Sequence, residues 1–143
     1  MTSGILGNTG IEVSSLCFGT GTNGWGNRSN QTDLGLDELA DLLAYAYDKG
    51  VSFWDSADQY GSHPHVAKAC DIVGRDNVTI TSKTTARDYD GVSADIDRFL
   101  SELQTDYIDF VLMHCLTSDD WPQKCRGAMD ALSEAKEAGK IRA

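Results

Sequence analysis

The sequence is short of positive charge. Twelve lysines and arginines stand against 22 aspartates and glutamates, a formal net charge of −10 over 143 residues. The basic residues form no stripe, and nucleic-acid binding needs one, because it works by neutralising phosphates with Lys and Arg. Nucleic acid is therefore not an expected partner, and the acidic excess reads as solubility. No apolar run approaches the roughly 20 residues that cross a bilayer, so no membrane partner is expected either. Met1-Thr2-Ser3-Gly4 has neither the basic start nor the apolar core of a secretory signal. The four cysteines, Cys17, Cys70, Cys115 and Cys125, include no C-x-x-C pair, and no Cys/His cluster has zinc spacing. No metal is expected, and a cytoplasmic location fits this usage better than an oxidising compartment. Cys17 and Cys115 fall inside apolar runs and are expected to be buried free thiols. Low-complexity tracts and long linkers are missing too, so residues 1–143 read as one domain, long enough for a core of its own.

What is present alternates between two periodicities. Ile5 to Val13 reads as a hairpin, two short apolar stretches around Gly7-Asn8-Thr9-Gly10. Ser15–Thr20 is a short strand candidate, followed by a polar, Gly-rich loop to about Gly35. Leu36, Leu39, Ala40, Leu43, Ala46 and Tyr47 then recur at three and four, one face of a helix, with Gly50 placed for a left-handed cap. Val51–Trp54 is a strand ending at Asp55. A helix from about Pro64 to Val73 places proline in its first turn, where the missing N–H costs nothing. Val78–Ser82 is a β-branched strand ending at Lys83. Ile96, Phe99, Leu100 and Leu103 mark the apolar face of a third helix. Tyr107–Met113 is an apolar strand of the kind buried on both faces, ending at His114. A fourth helix is expected from Pro122 to Ala138, capped by Gly139, before Lys140-Ile141-Arg142-Ala143, where a further strand would begin.

A hairpin followed by four β-α units means parallel strands with right-handed crossovers. Two architectures fit. Gly19-Thr20-Gly21-Thr22-Asn23-Gly24 spells G-x-G-x-x-G after a strand, and Asp55 ends the next strand, as in a Rossmann-type nucleotide-binding domain. That reading requires a helix starting within the motif, so that its N–H groups face the pyrophosphate. Here the helical pattern waits until Leu36. The alternative is a partial (β/α)8 TIM barrel, whose active sites form at the C-terminal ends of strands. Asp55, Lys83 and His114 each follow a short apolar strand, and Tyr60 lies five residues beyond Asp55 on the same rim. With strands about 4.8 Å apart, these groups can converge.

The four side chains suit general acid catalysis at a carbonyl. A tyrosine of ordinary pKa, about 10, is a poor acid at neutral pH, and a nearby ammonium favours its phenolate. Lys83 is the available cation, Asp55 can keep it charged and directed, and His114 can donate to the carbonyl oxygen that Tyr60 protonates. No side chain donates hydride, so the reaction needs a nicotinamide or flavin.

The sequence here resembles the aldo-keto reductases, NAD(P)H-dependent enzymes on a (β/α)8 barrel. Gly50-Val51-Ser52-Phe53-Trp54-Asp55-Ser56-Ala57-Asp58-Gln59-Tyr60-Gly61 is similar to the family's G-x-x-x-x-D-[TS]-A-x-x-Y-G signature. Leu6–Gly10 with Val13-Ser14, Phe18–Gly21, Ile80–Lys83, Asp106–Asp109 with Met113-His114, and Gly139–Arg142 match further, so the resemblance covers essentially the whole chain. It implies Tyr60 as proton donor, Asp55 and Lys83 as its tuners and His114 as the residue orienting the carbonyl. It implies NADP(H) as cofactor, with NAD(H) the alternative, its nicotinamide lined by the backbone of Gly19, Thr20 and Gly21 and by Asp55. The substrate is a small-molecule aldehyde or ketone. Trp25 is expected either to wall the substrate pocket or to anchor its own loop, and Trp54 to pack.

The family's chain is about twice as long. The residues that hold the carboxamide, the nicotinamide face and the adenosine phosphate belong to its second half. The fold expected here is therefore a partial barrel, the N-terminal half with strands 1–4 and helices 1–4 only, and a fragment of a longer reductase. Four strands leave edges near Leu16 and Val111, so the isolated half is expected to self-associate. The second functional reading is a non-catalytic binding or scaffold module that keeps the motif without the activity.

Overall fold

The structure is a computed structural model, and it describes residues 2–143. A two-stranded antiparallel hairpin, β1 (Ser3–Ile5) and β2 (Glu12–Ser14), opens the chain. Then follow β3 (Cys17–Gly19), α1 (Leu36–Asp48), β4 (Phe53–Asp55), α2 (His63–Val73), β5 (Thr79–Thr84), α3 (Tyr89–Leu103), β6 (Phe110–Met113), α4 (Trp121–Lys124) and α5 (Arg126–Glu137). The four later strands form one parallel sheet in the order β3-β4-β5-β6. Strands that neighbour each other in chain order, with a helix between each pair, are the barrel's topology. A doubly wound sheet of order 3-2-1-4 would set its fourth strand beside its first. The nucleotide-binding alternative is thereby overturned, and no helix starts inside Gly19–Gly24: the chain stays irregular until a 3-10 turn at Thr32–Leu34.

Helix ends follow the local chemistry. Gly50, at φ 86°, closes α1: its N–H reaches the carbonyl of Tyr47 and that of Val51 reaches Ala46, the paired bonds of a Schellman cap. Asp88 caps α3 by accepting from the N–H of Gly91 at 2.9 Å. The expected fourth helix is broken. At Cys125 the backbone leaves helical dihedrals, which turns that side chain into the core and separates one turn, α4, from α5.

The sheet has one dry face. Trp54, Ile80 and Val111 pack with Leu39, Leu43, Val66, Ile96 and Phe99 of the helices in a single cluster. The opposite face, the barrel lumen, carries Cys17, Phe53, Asp55, Lys83 and Leu112 and is open. Leu112 is 50% exposed. β6 is buried on both faces at Phe110 and Val111, as expected, and opens on the lumenal side only at Leu112. The two thiols expected to be buried, Cys17 and Cys115, are not. Cys17 on the lumenal face and Cys115 in a loop are exposed, while Cys70 and Cys125 are buried. All four are free.

The edges are also unequal. Residues 140–143 lie along β6 in parallel, with the N–H of Ile108 on the carbonyl of Lys140 and that of Ala143 on Asp109. A fifth strand position is therefore begun, and the edge expected near Val111 is covered there. At the opposite end from the strands' C-termini, the hairpin tucks under the sheet through Ser14, whose hydroxyl accepts from the N–H groups of Ser52 and Phe53.

Asp109 ties this lower end together. It is 1% exposed and accepts from Arg75, Arg142 and the N–H of Ile80 at 2.8, 2.6 and 2.9 Å. Removing one side of a buried ion pair strands the other. Asp109→Ala should therefore cost about 3–5 kcal/mol of unfolding free energy, read from urea denaturation followed by far-UV circular dichroism. A loss below about 1 kcal/mol, the range of exposed pairs, would show that this cluster carries little.

Candidate active site

Three strand ends and one turn bring the four candidate residues together. Asp55 is the last residue of β4 and Lys83 the penultimate residue of β5, one position deeper in the strand than the sequence pattern put it. His114 follows β6 directly. Tyr60 ends a 3-10 turn, Asp58–Tyr60, that Gly61 closes at φ 65°. Lys83 Nζ donates to Asp55 at 2.7 Å and to the carbonyl of Ser56 at 2.9 Å. It stands 3.5 Å from the Tyr60 hydroxyl, and that hydroxyl stands 3.4 Å from His114 Nε2. The last two are at the long end of hydrogen bonding, so the hydroxyl and the imidazole are loosely paired and both can turn to a further oxygen set beside them.

Burial, and then the charge of Lys83, hold the His114 imidazole below its ordinary pKa, with Arg87 adding to this and Asp55 opposing it. His114 is thus neutral at neutral pH, with one ring N–H to give. Its Nδ1 is buried without a partner.

The glycines that imitate a nucleotide motif serve this tyrosine. A Cβ on Gly21 would overlap the Tyr60 ring on one edge, and a Cβ on Gly24 would overlap it on the other. The first loop, 20–35, therefore lies directly on the ring. It is stapled there by Asn27, whose N–H donates to the carbonyl of Gln59 at 3.0 Å. Beneath the loop runs a buried chain of hydroxyls. Ser29 donates to the carbonyl of Thr20 at 2.7 Å, Thr20 Oγ1 to the carbonyl of Asp55 at 2.9 Å, and Ser62 stands 2.7 Å from both Thr20 and Ser56.

On the outer side of β5 a second network supports the same residues. Ser82 and Thr84 flank Lys83 and point the other way. Ser82 bonds His63 Nε2 at 2.8 Å, and His63 Nδ1 bonds Glu102 at 2.6 Å. Thr84 donates to Asp95 at 2.5 Å. Arg98 holds both carboxylates and also Asp58, two residues before Tyr60, at 2.8 Å. The hydrogen bond from His63 keeps the Glu102 carboxyl below its usual range, against the opposing effect of burial and with help from Arg98.

Of the proposed cofactor-lining group, Gly19 and Asp55 are neighbours in register, and nothing lies within 4 Å of where a Cβ on Gly19 would stand. That open floor beside Asp55 fits a flat ring. Thr20 is different. It is fully buried, and its N–H, carbonyl and hydroxyl are all bonded within the protein, so it can shape the floor but has no polar group to offer. Trp25 is 78% exposed and borders the cavity that Tyr60 and His114 line. Trp54 packs as expected, fully buried with its indole N–H on the carbonyl of Val51.

With this geometry described, the relatives are informative. The model of the Aldo/keto reductase family matches residues 15–143. This chain belongs to the aldo/keto reductase family. It is 28% identical to the aldo-keto reductase YhdN of Bacillus subtilis over 96% of this chain and 44% of that one. It is 31% identical to an Arabidopsis thaliana aldo-keto reductase, family 4 member C11, over 86% of this chain and 36% of the relative. Among solved structures, a thermostable aldo-keto reductase in complex with the inhibitor epalrestat superposes with a TM-score of 0.82 at 28% identity, over 99% of this chain and 52% of that one. The chain thus spans less than half the length of these curated relatives. Its sheet and helices superpose on about half of that solved chain.

Two predictions follow the geometry. Gly21→Ala should push the Tyr60 ring away from His114, seen as a changed His114 imidazole shift by NMR with a normal circular dichroism spectrum. An unchanged shift would mean that the loop yields instead. His65, like His114, has its pKa lowered by burial. For such groups the unfolded chain binds more protons between the folded pKa and about 6.5, so stability falls as pH drops through that window. The melting temperature should fall between pH 7.5 and 5, and the double variant His65→Gln/His114→Gln should flatten the slope. An equal slope in the variant would assign the effect to other groups.

Proposed function

We propose that this chain carries the proton-handling half of an NAD(P)H-dependent carbonyl reductase, converting an aldehyde or ketone to an alcohol. The observation that supports it most directly is the 3.4 Å gap between the Tyr60 hydroxyl and His114 Nε2, with Lys83 and Asp55 behind the tyrosine. A carbonyl oxygen standing beside the pair, within reach of both, accepts from both. His114, neutral, donates its Nε2–H and aligns the oxygen. Tyr60 gives its proton as negative charge builds there, and the adjacent ammonium of Lys83 offsets the charge left on the phenolate oxygen. Asp55 and the Ser56 carbonyl keep that ammonium in place. A nicotinamide, when bound, supplies the hydride. Gly19 and Asp55 would form its floor, with Gly21 beside them. NADP(H) is the proposed cofactor, because one relative is named an NADPH-dependent D-xylose reductase, from Meyerozyma guilliermondii. A cytoplasmic setting is part of the reading, consistent with four unpaired thiols. So is self-association of the 143-residue chain through its open lumenal face, where Leu112 is exposed.

The test is NADPH oxidation with an aldehyde such as benzaldehyde, by the protein bearing this chain in its full barrel. Tyr60→Phe should lower the rate by about 10²–10⁴-fold, the range of a positioned general acid, with NADPH affinity unchanged. An unaltered rate would remove Tyr60 from the role. NADPH binding without turnover of any carbonyl would favour the binding-module reading.

A further inference from the structure

Arg87 sits on the loop between β5 and α3 and lines the cavity of about 340 Å³ beside Tyr60, together with Trp25, Gln59, Thr85, His114 and Cys115. The chain has six arginines. Arg28, Arg75, Arg98, Arg126 and Arg142 each pair with a carboxylate, and Arg87 has none among the described residues. The nearest carboxylate in sequence, Asp88, is turned away to cap α3. No acidic side chain lines the cavity, although acids outnumber bases by 22 to 12 in the chain.

The guanidinium is nevertheless held in place. Nη1 donates to the carbonyls of Thr84 and Ala86, at 3.4 and 3.1 Å, and Nη2 to that of His114. A guanidinium has five N–H donors. Three are committed, which leaves the Nε–H and one Nη2 proton. Two donors on one rigid fork are what a carboxylate or phosphate takes in bidentate fashion. Two of the three carbonyls that fix the fork, those of Thr84 and His114, stand at the ends of β5 and β6, the strands that also place Lys83 and His114. Its position relative to Tyr60 and His114 is therefore set by the sheet and not by loop motion.

We propose that this cavity takes carbonyl compounds bearing an anionic oxygen group, and that Arg87 is the residue that selects them by pairing with that group. As a statement about substrates it rests on the carbonyl-reductase reading. As a statement about binding it does not. The anion can be a carboxylate or a phosphate on the substrate, since both fit the same fork.

The test uses the ¹⁵N-labelled chain without cofactor and two matched pairs, 4-carboxybenzaldehyde against benzaldehyde and glyceraldehyde 3-phosphate against glyceraldehyde. In at least one pair the charged member should bind about tenfold or more tightly, the scale of one charge-assisted hydrogen bond. The Arg87 Nε–H resonance should move with it. The pair that shows the preference identifies carboxylate or phosphate. Arg87→Met should erase the preference and Arg87→Lys should keep part of it. Equal or undetectable binding within both pairs, a still Arg87 resonance, or a preference surviving in Arg87→Met would each overturn the proposal. The wild-type resonance decides the matter even if Arg87→Met fails to fold. NADPH oxidation with the same four aldehydes, by the protein bearing this chain in its full barrel, separates the two readings. No oxidation alongside a clear anion preference would sink the reductase reading alone, and oxidation without preference would sink the anion site alone.

Discussion

The ammonium of Lys83 is held 2.7 Å from Asp55 and 2.9 Å from the Ser56 carbonyl, with its side chain 14% exposed. A half-buried charge persists only when it is paired and hydrogen-bonded. Both of its partners come from the end of β4, so the pair fixes β4 against β5 at the rim. The alternation of a strand does the rest. Because Lys83 faces the lumen, Ser82 and Thr84 must face the helices. There they are bonded through His63, Glu102 and Asp95 to Arg98. Arg98 also grips Asp58, on the turn that carries Tyr60. One guanidinium outside the barrel thus braces both the strand that carries Lys83 and the turn that carries Tyr60.

Tyr60 is confined from the remaining sides. His114 meets its ring edge-on at 5.6 Å between centroids, and Lys83 lies 4.9 Å from the ring centre. The backbone at Gly21 and Gly24 covers two ring edges. The hydroxyl chain from Ser29 through Thr20 and Ser62 to Ser56 keeps that loop registered on the end of β4. The proton donor therefore sits between a floor made by one strand pair and a cover made by a loop, with both tied to the same residue, Asp55.

Much of this was legible in the sequence. Asp55, Lys83 and His114 each end a short apolar strand, and polar groups at such ends can only lie on one rim. The helix stops at Gly50 and Gly139 were equally readable, since positive φ is a local demand. What was not legible depends on contacts far apart in the chain. The glycine pattern 19–24 has no meaning until the Tyr60 ring is placed beneath it, 36 to 39 residues later. The thiol of Cys17 looked buried because its strand is apolar, but one face of that strand opens on an empty lumen. Burial of its surroundings, and then the nearby Asp55 charge, still push this thiol up to about 11. Nothing in the sequence marks out Arg98 or Arg87. Only their partners, or the lack of one, set them apart.

The seating of the first loop on the tyrosine has a consequence for how such a protein can diversify. In many barrels a rim loop can be exchanged without disturbing the chemistry below. Here the loop and the catalytic ring share a surface, Gly61 would collide with Asn27 if it gained a side chain, and Asn27 in turn bonds Gln59. Residues 20–30 and 57–61 are therefore a single heritable module. Substitutions in one segment are viable only with matching ones in the other, so grafting a foreign loop onto this scaffold requires transplanting the tyrosine's turn along with it.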